Sequence, residues 1–268
     1  MRDLTEKILA ASRSPELRRH VTDLLFKTCA VDTTPYADVE RMRRAEDEVF
    51  RMLEAELDAA PFPGARHERR PINPAIAKHP AFSLLHFTKT PECPEGLSPE
   101  EVYAKRSNLL YVVPNARGEE GPDGVAVNAH IDVVKPFLPP RLEGNTLYGR
   151  GTCDDKGAVV AIVAALQVLG KVLQAEGRKL SRNLMAMIVV EEETGGNGSL
   201  SLAIDRELRQ RYGSILVLEC TGNDIHPANR GALWYRADLH CPGVNLFEMT
   251  AFVYEQLEQE GRAIKAES

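Results

Sequence analysis

The sequence predicts an α/β fold, a mixed, mostly parallel sheet with helices on both faces. Three observations predict it. The runs 125–131, 184–190 and 215–218 are apolar and of strand length, and 184–190 is continuous (Leu-Met-Ala-Met-Ile-Val-Val), as suits a strand covered on both faces. The segment 158–169 is apolar almost all round, which marks a helix buried against a sheet. Two amphipathic helical segments, 14–28 and 37–59, precede the strands and suit helices packed on that sheet.

Taken in order, the chain opens its first predicted helix at Ser14-Pro15-Glu16, a cap followed by proline at the first helical position, with Leu17, Val21, Leu24, Leu25 and Thr28 on one face. The second helix, 37–59, turns Val39, Met42, Val49, Met52, Leu53 and Leu57 inward. Residues 61–80 carry Pro61, Pro63, Pro71, Pro74 and Pro80, so no regular structure is expected there. Strands are expected at 82–87 and 108–113, separated by a Pro/Glu/Gly loop over 90–101, and a glycine-rich acidic turn at 115–124 follows. Residues 199–211 resemble a helix, 233–239 a partly exposed strand, and 245–259 an amphipathic helix.

Composition narrows the function. At 43% hydrophobic and 27% charged, the 268 residues can bury a full core. The net charge of -6 and scattered Lys and Arg, with Arg41, Arg43 and Arg44 as a solvated helix face, argue against a nucleic-acid partner. No run approaches the roughly 18 apolar residues of a membrane span, and the N-terminus lacks an apolar signal core. Cys29, Cys93, Cys153, Cys220 and Cys241 are odd in number and form no C-x-x-C pair, so reduced thiols in a cytoplasmic protein are expected. His20, His67, His79 and His86 have no partner at metal-like spacing.

The chemistry lies where the strands end. His130 and Asp132 close the run 125–131 and share a strand face; they read either as a surface pair or as a ligand with an orienting carboxylate. Glu191-Glu192-Glu193 follow the run 184–190, and Glu219 follows 215–218. Asp154-Asp155 stand in the glycine-bracketed loop 149–157 at the start of the buried helix, where one of them is expected to cap it. In an open parallel or mixed α/β sheet the C-terminal strand ends line the ligand crevice. Three successive acids there repel one another unless a cation sits among them. One histidine and several carboxylates suit Zn²⁺, with Co²⁺ or Mn²⁺ as alternatives. Two ions sharing a bridging aspartate can clamp a hydrolytic water and a carbonyl, with a spare glutamate to move the proton.

In this order, the segments His130-Ile131-Asp132-Val133-Val134, Gly149-Arg150-Gly151-Thr152-Cys153-Asp154-Asp155-Lys156-Gly157, Glu192-Glu193-Thr194-Gly195 and Glu219 resemble the M20 metallopeptidase family. That family includes acetylornithine deacetylase, succinyl-diaminopimelate desuccinylase, aminoacylase and glutamate carboxypeptidase. The resemblance covers about residues 15–245. It implies that His130 and Glu219 bind one metal, Glu193 a second, and Asp154 bridges them, while Asp132 orients His130 and Glu192 is the general base and acid. It implies a zinc-peptidase-like catalytic domain over 1–231 and, over 232–268, the first strand and helix of an incomplete lid or dimerisation domain.

The implied substrate is an N-acyl amino acid or small peptide, and a homodimer is implied where the lid is complete. The family's further histidine ligand and lid histidine have no clear counterpart, His240 standing only near the latter's place. A fragment that keeps the fold as a binding module is therefore the alternative expectation. Arg230 could meet a substrate carboxylate or form a surface ion pair.

Overall fold

A computed structural model of the chain describes residues 2–222, 224–227 and 237–267. The chain divides into two compact units, Met1–Asn223 and Asp224–Ser268.

The first unit begins with three helices, α1 (Arg2–Ser12), α2 (Pro15–Cys29) and α3 (Val39–Asp58). Helix α1 is absent from the sequence-based expectation; its half-buried stripe is only Leu4, Ile8 and Ala11. Helix α2 starts as expected, the Ser14 hydroxyl accepting from the Leu17 N–H at 3.1 Å. Strand β1 (Arg66–Pro71) then pairs antiparallel with β2 (Ser107–Val113), which follows a short helix α4 (Pro99–Tyr103). Strand β3 (Val125–His130), a small hairpin of β4 (Arg141–Glu143) and β5 (Thr146–Tyr148), and the 20-residue α5 (Lys156–Ala175) come next. Strand β6 (Leu184–Val189), helix α6 (Asn197–Ala203) and strand β7 (Ser214–Val217) complete the unit.

The main sheet has the order β1-β2-β6-β3-β7. Strands β6, β3 and β7 run parallel, while β1 and β2 are antiparallel additions. The fold is therefore the α/β class expected, and the parallel strands point their C-terminal ends to the same edge. Alternation along β2 and β6 builds a core on each face. Leu109, Tyr111, Val113, Ala186 and Ile188 join the side covered by α3 and α5. Leu110, Val112, Met185, Met187 and Val189 join Leu202 of α6 and Leu208 on the other. Helix α5 has the length and hydropathy of a membrane span, contrary to the sequence estimate, but most of it is buried inside this unit as a core helix.

Four local expectations are corrected. Strand β1 lies within the proline-rich stretch, because an edge strand tolerates proline and Pro71 ends it. Residues 82–87 form no strand; Leu85 and Phe87 are buried as core side chains without a neighbouring ladder. The helix expected over 199–211 stops at Ala203, where Asp205 instead accepts the N–H groups of Glu207 and Leu208. Strand β7 is an exposed edge, with Ile215, Leu216 and Val217 at 48%, 55% and 55% exposure, so it is not a buried strand.

The second unit contains α7 (Leu246–Glu267), longer than the 245–259 expected. Residues 233–236 of the expected strand, and Arg230, lie outside the described residues, while 237–240 have no regular structure and His240 is exposed.

Candidate metal centre

Strand register brings the acidic clusters together. His130 is the last residue of β3 and pairs with Val189 of β6, so Glu191–Glu193 emerge beside it. On the other side the Leu218 N–H donates to the Asn128 carbonyl at 2.9 Å, which carries Glu219 alongside His130. The loop before α5 then crosses this edge. It is pinned from below by Lys156, whose buried ammonium donates to the carbonyls of Thr28 (3.0 Å) and Val31 (2.8 Å) at the end of α2. Gly157 is required by closeness: a Cβ there would stand 2.4 Å from the Thr152 carbonyl oxygen.

His130 is the hub. Its Nδ1 lies 3.0 Å from the Asp132 carbonyl oxygen, which can only accept, so Nδ1 is the donor. Its Nε2 is buried and has no hydrogen-bond partner among the described residues. That nitrogen is 3.1 Å from Asp154 Oδ1, 3.7 Å from Glu192 Oε2 and 3.8 Å from Glu219 Oε1. The Asp132 carboxylate approaches Nδ1 at 3.4 Å, but its hydrogen bonds are elsewhere: Oδ1 accepts from the Glu192 N–H (3.1 Å) and Oδ2 from the Glu193 N–H (3.0 Å). Asp132 thus ties the acidic loop to the histidine strand. The structure brings His130, Asp132, Asp154, Glu192 and Glu219 together directly, and places Glu193 on the same loop.

Asp155 corrects the capping expectation. It occupies the N-cap position of α5 but makes no side-chain cap hydrogen bond. Its fully buried carboxylate instead accepts from the His130 N–H at 3.2 Å, and Oδ1 is left without a partner among the described residues. His130, Asp155 and Glu219 also offer donor atoms within 4.8 Å of one another. The Asp154–Asp155 and Lys135–Pro136 peptides are cis.

Electrostatics fit a cation. Burial pushes Asp155 up to about 7 against the pull of His130. Burial, with Asp154 and Asp132 nearby, pushes Glu193 up to about 7 and raises Glu192 as well. Burial works against a charge on His130, yet Asp132, Asp155 and Glu192 hold it up at about 10. Carboxyls raised at Asp155, Glu192 and Glu193 beside an imidazole that is itself raised mark a place where added positive charge is favoured. The orphaned, buried Nε2 and the N/O donor set suit a divalent metal ion.

A buried ion-pair cluster behind the acidic loop escapes the sequence analysis. Arg106, with its side chain fully buried, donates to Glu46 through Nε (3.0 Å) and Nη2 (2.6 Å) and to Glu191 through Nη1. The Tyr103 hydroxyl (2.9 Å) and the Asn197 amide (3.2 Å) also donate to Glu191. These bonds hold Glu191 at φ +61, a left-handed backbone that costs an ordinary residue about 1–2 kcal/mol. The turn continues through Gly195 at φ +112, where a Cβ would fall 2.0 Å from Ser83 Oγ. Glu191 is therefore an anchor, and Glu192 and Glu193 are the pair presented to the site. A lone Arg106 ahead of a strand gives no sequence signal, because its partners are 60 and 85 residues away. An open cavity adjoins Glu193, lined by Pro35, His86, Val134, Lys135 and Thr194.

The four remaining histidines in the first unit do their work elsewhere or locally. His20 pairs with Glu56, His67 with Asp58, and His79 accepts from the Ala81 N–H, while His86 packs edge-on to Phe87.

A mostly parallel sheet thus brings carboxylates and one buried imidazole together at its strand ends, the arrangement of an α/β domain with a candidate metal centre. Residues 126–240 match the model of Peptidase family M20/M25/M40. A peptidase M20 domain-containing protein of Schizosaccharomyces pombe is 33% identical over 119 residues, covering 44% of this chain and 28% of the relative. A LysW-lysine/LysW-ornithine hydrolase of Sulfurisphaera tokodaii is 31% identical over 145 residues, covering 53% and 38%. The fold is similar to human carnosine dipeptidase 1 (TM-score 0.55, 16% identity, 81% of this chain and 41% of that one). It is similar to the Saccharomyces cerevisiae di-peptidase Dug1p as well (TM-score 0.53, 15% identity, 81% and 41%). The chain spans less than half the length of these relatives.

Proposed function

We propose that this chain carries the catalytic centre of a metal-dependent hydrolase that cleaves an amide or peptide bond in an N-acyl amino acid or small peptide. The observation that carries the reading is His130 Nε2, buried without a hydrogen bond and facing Asp154, Glu192 and Glu219 at 3.1–3.8 Å. His130, Asp154 and Glu219 would hold one ion, and Asp154 and Glu193 a second, with Zn²⁺ as the ion favoured by this donor set and Co²⁺ or Mn²⁺ as substitutes. When bound, such an ion would supply Lewis acidity toward the scissile carbonyl and would lower the pKa of a bound water toward neutrality.

The chain's own residues do the rest. Glu192 is half-exposed at the mouth of the cluster, and its carboxylate takes the proton of the attacking water and passes it to the leaving nitrogen. Asp132 keeps Glu192 and Glu193 in register with His130 through two N–H bonds. The cavity beside Glu193 accepts the substrate's side chain, and Lys135 on its wall offers an ammonium to a substrate carboxylate. In this reading residues 1–231 form the catalytic domain and 232–268 the start of a lid, while the compact units part earlier, at Asn223.

The test is hydrolysis of N-acyl amino acids and dipeptides with added Zn²⁺ or Co²⁺, for the chain and for Glu192→Gln. The expected result is turnover that falls about 10²–10⁴-fold in the variant with metal binding unchanged. Equal turnover by the variant would remove Glu192 from the proton transfer. Metal binding without turnover would favour a binding module.

A further inference from the structure

The cluster contains two thiols that the hydrolytic reading does not use. Cys153 precedes Asp154 and Cys220 follows Glu219, so two carboxylates of the centre each have a thiol as chain neighbour. The strand-end loops bring these thiols together, with Cys153 Sγ donating to Cys220 Sγ at 3.6 Å. Both are exposed and free, as the expected reduced thiols are. Cys220 Sγ and carboxylate oxygens of Asp154 and Glu219 lie within 4.8 Å of one another. An independent observation points to the same place. The imidazole of His130, 1% exposed, directs an unpartnered Nε2 to Asp154 Oδ1 at 3.1 Å and Glu219 Oε1 at 3.8 Å.

We propose that Cys220 Sγ is a further donor to the divalent cation held by His130, Asp154 and Glu219, and that the Cys153 S–H donates to that sulfur. The inference rests on the metal-centre reading and deepens it, because it names the softness of the ion the site selects. Imidazole and carboxylates alone accept hard and borderline ions, whereas a thiolate favours Zn²⁺ or Co²⁺ over Mg²⁺ or Ca²⁺. Coordination requires the thiolate. The S–H bond of Cys220 breaks heterolytically, its proton goes to the buffer, and the sulfur lone pair forms the bond to the cation. No electrons change hands, so no oxidant is needed. The hydrogen bond from Cys153 then lies on the remaining sulfur lone pairs and fixes the direction of the thiolate, as outer partners do for metal ligands.

Cobalt(II) added to the reduced 268-residue chain tests this by absorption. Ligand-field bands in the visible report binding, and a near-ultraviolet thiolate-to-cobalt charge-transfer band reports sulfur coordination. The wild-type chain is expected to show both. Cys220→Ser, an exposed and nearly isosteric change, is expected to lose the charge-transfer band while keeping the ligand-field bands. Cys153→Ser is expected to keep the charge-transfer band at a shifted wavelength. Alkylation of Cys220 by iodoacetamide, followed by peptide mass spectrometry, is expected to slow when Zn²⁺ saturates the chain. Ligand-field bands without the charge-transfer band, or a band that survives Cys220→Ser, would overturn the thiolate ligand and leave the metal centre standing. Absence of both bands would overturn the metal centre together with it.

Discussion

Replacing Arg106 by Met should strand two buried carboxylates, and the size of the effect follows from the bonds it removes. Among the described residues Arg106 is the cation that bonds these carboxylates: Glu46 twice, at 3.0 and 2.6 Å, and Glu191 once. Methionine fills much of the volume but supplies no charge. Removing one partner of a buried ion pair costs about 3–5 kcal/mol. Glu46 gives an independent estimate. Burial already raises its proton affinity, and Arg106 is what opposes that. Without Arg106 the cheapest outcome is a neutral Glu46, and protonating an ordinary glutamate at pH 7 costs about 1.36 × (7 − 4.3), or 3.7 kcal/mol. Losing the desolvation of the guanidinium returns part of this, so a net loss of about 3–5 kcal/mol stands.

The sign with pH follows from linkage. In Arg106→Met the native state holds a proton on Glu46 that the unfolded chain does not hold at pH 7. The deficit is therefore largest at neutral pH and shrinks to about 1 kcal/mol for this group near pH 5. Urea unfolding at both pH values measures it, and a second Glu46→Gln change should recover part of the neutral-pH loss. A loss below about 1 kcal/mol at neutral pH, or one independent of pH, would refute the reasoning.

Three further outcomes are expected. Asp132→Ala should weaken metal binding and lower turnover together, because the N–H groups of Glu192 and Glu193 lose their shared acceptor; isothermal titration with Zn²⁺ alongside kinetics measures both, and unchanged affinity would show that the loop holds itself. Glu68 is pulled below the usual carboxylate range, the Arg211 and Arg66 bonds outweighing the opposing effect of burial. Its contribution is present above the unfolded value and is lost as pH falls through the lower folded value, so melting curves of Glu68→Gln should lie below wild type at neutral pH and converge with it in acid. Lys156→Met should cost about 1–3 kcal/mol per carbonyl left unpaired at Thr28 and Val31, read as a drop in thermal midpoint.

Much of the fold could be read directly because periodicity is a local property. The continuous run 184–190 could only be covered on both faces, and Met185, Met187 and Ala186, Ile188 do divide between two cores. The cap at Ser14 and the all-apolar start of α5 are likewise properties of neighbouring residues. Strand β1 was hidden because prolines argue against a ladder unless the strand is known to be an edge, and edges are defined only by the assembled sheet. The exposure of β7 was hidden for the same reason.

The site divides along the same line. The sequence by itself determined which residues could carry the chemistry: His130, Asp132, Asp154, Glu192, Glu193 and Glu219, each at the end of an apolar run or the start of a buried helix. Side-chain type and strand-end position mark the clusters, and the resemblance to the M20 family picks these six from them. Only the tertiary structure decided which of these segments meet and what holds them. Strand register set Glu219 beside His130, Asp155 left its cap to accept the His130 N–H, and Arg106 closed a buried ion pair on Glu191. It also set Cys153 against Cys220 across 67 residues. Those pairings are contacts between segments far apart in the chain, fixed by the packing of the sheet and α5, and no local pattern encodes them.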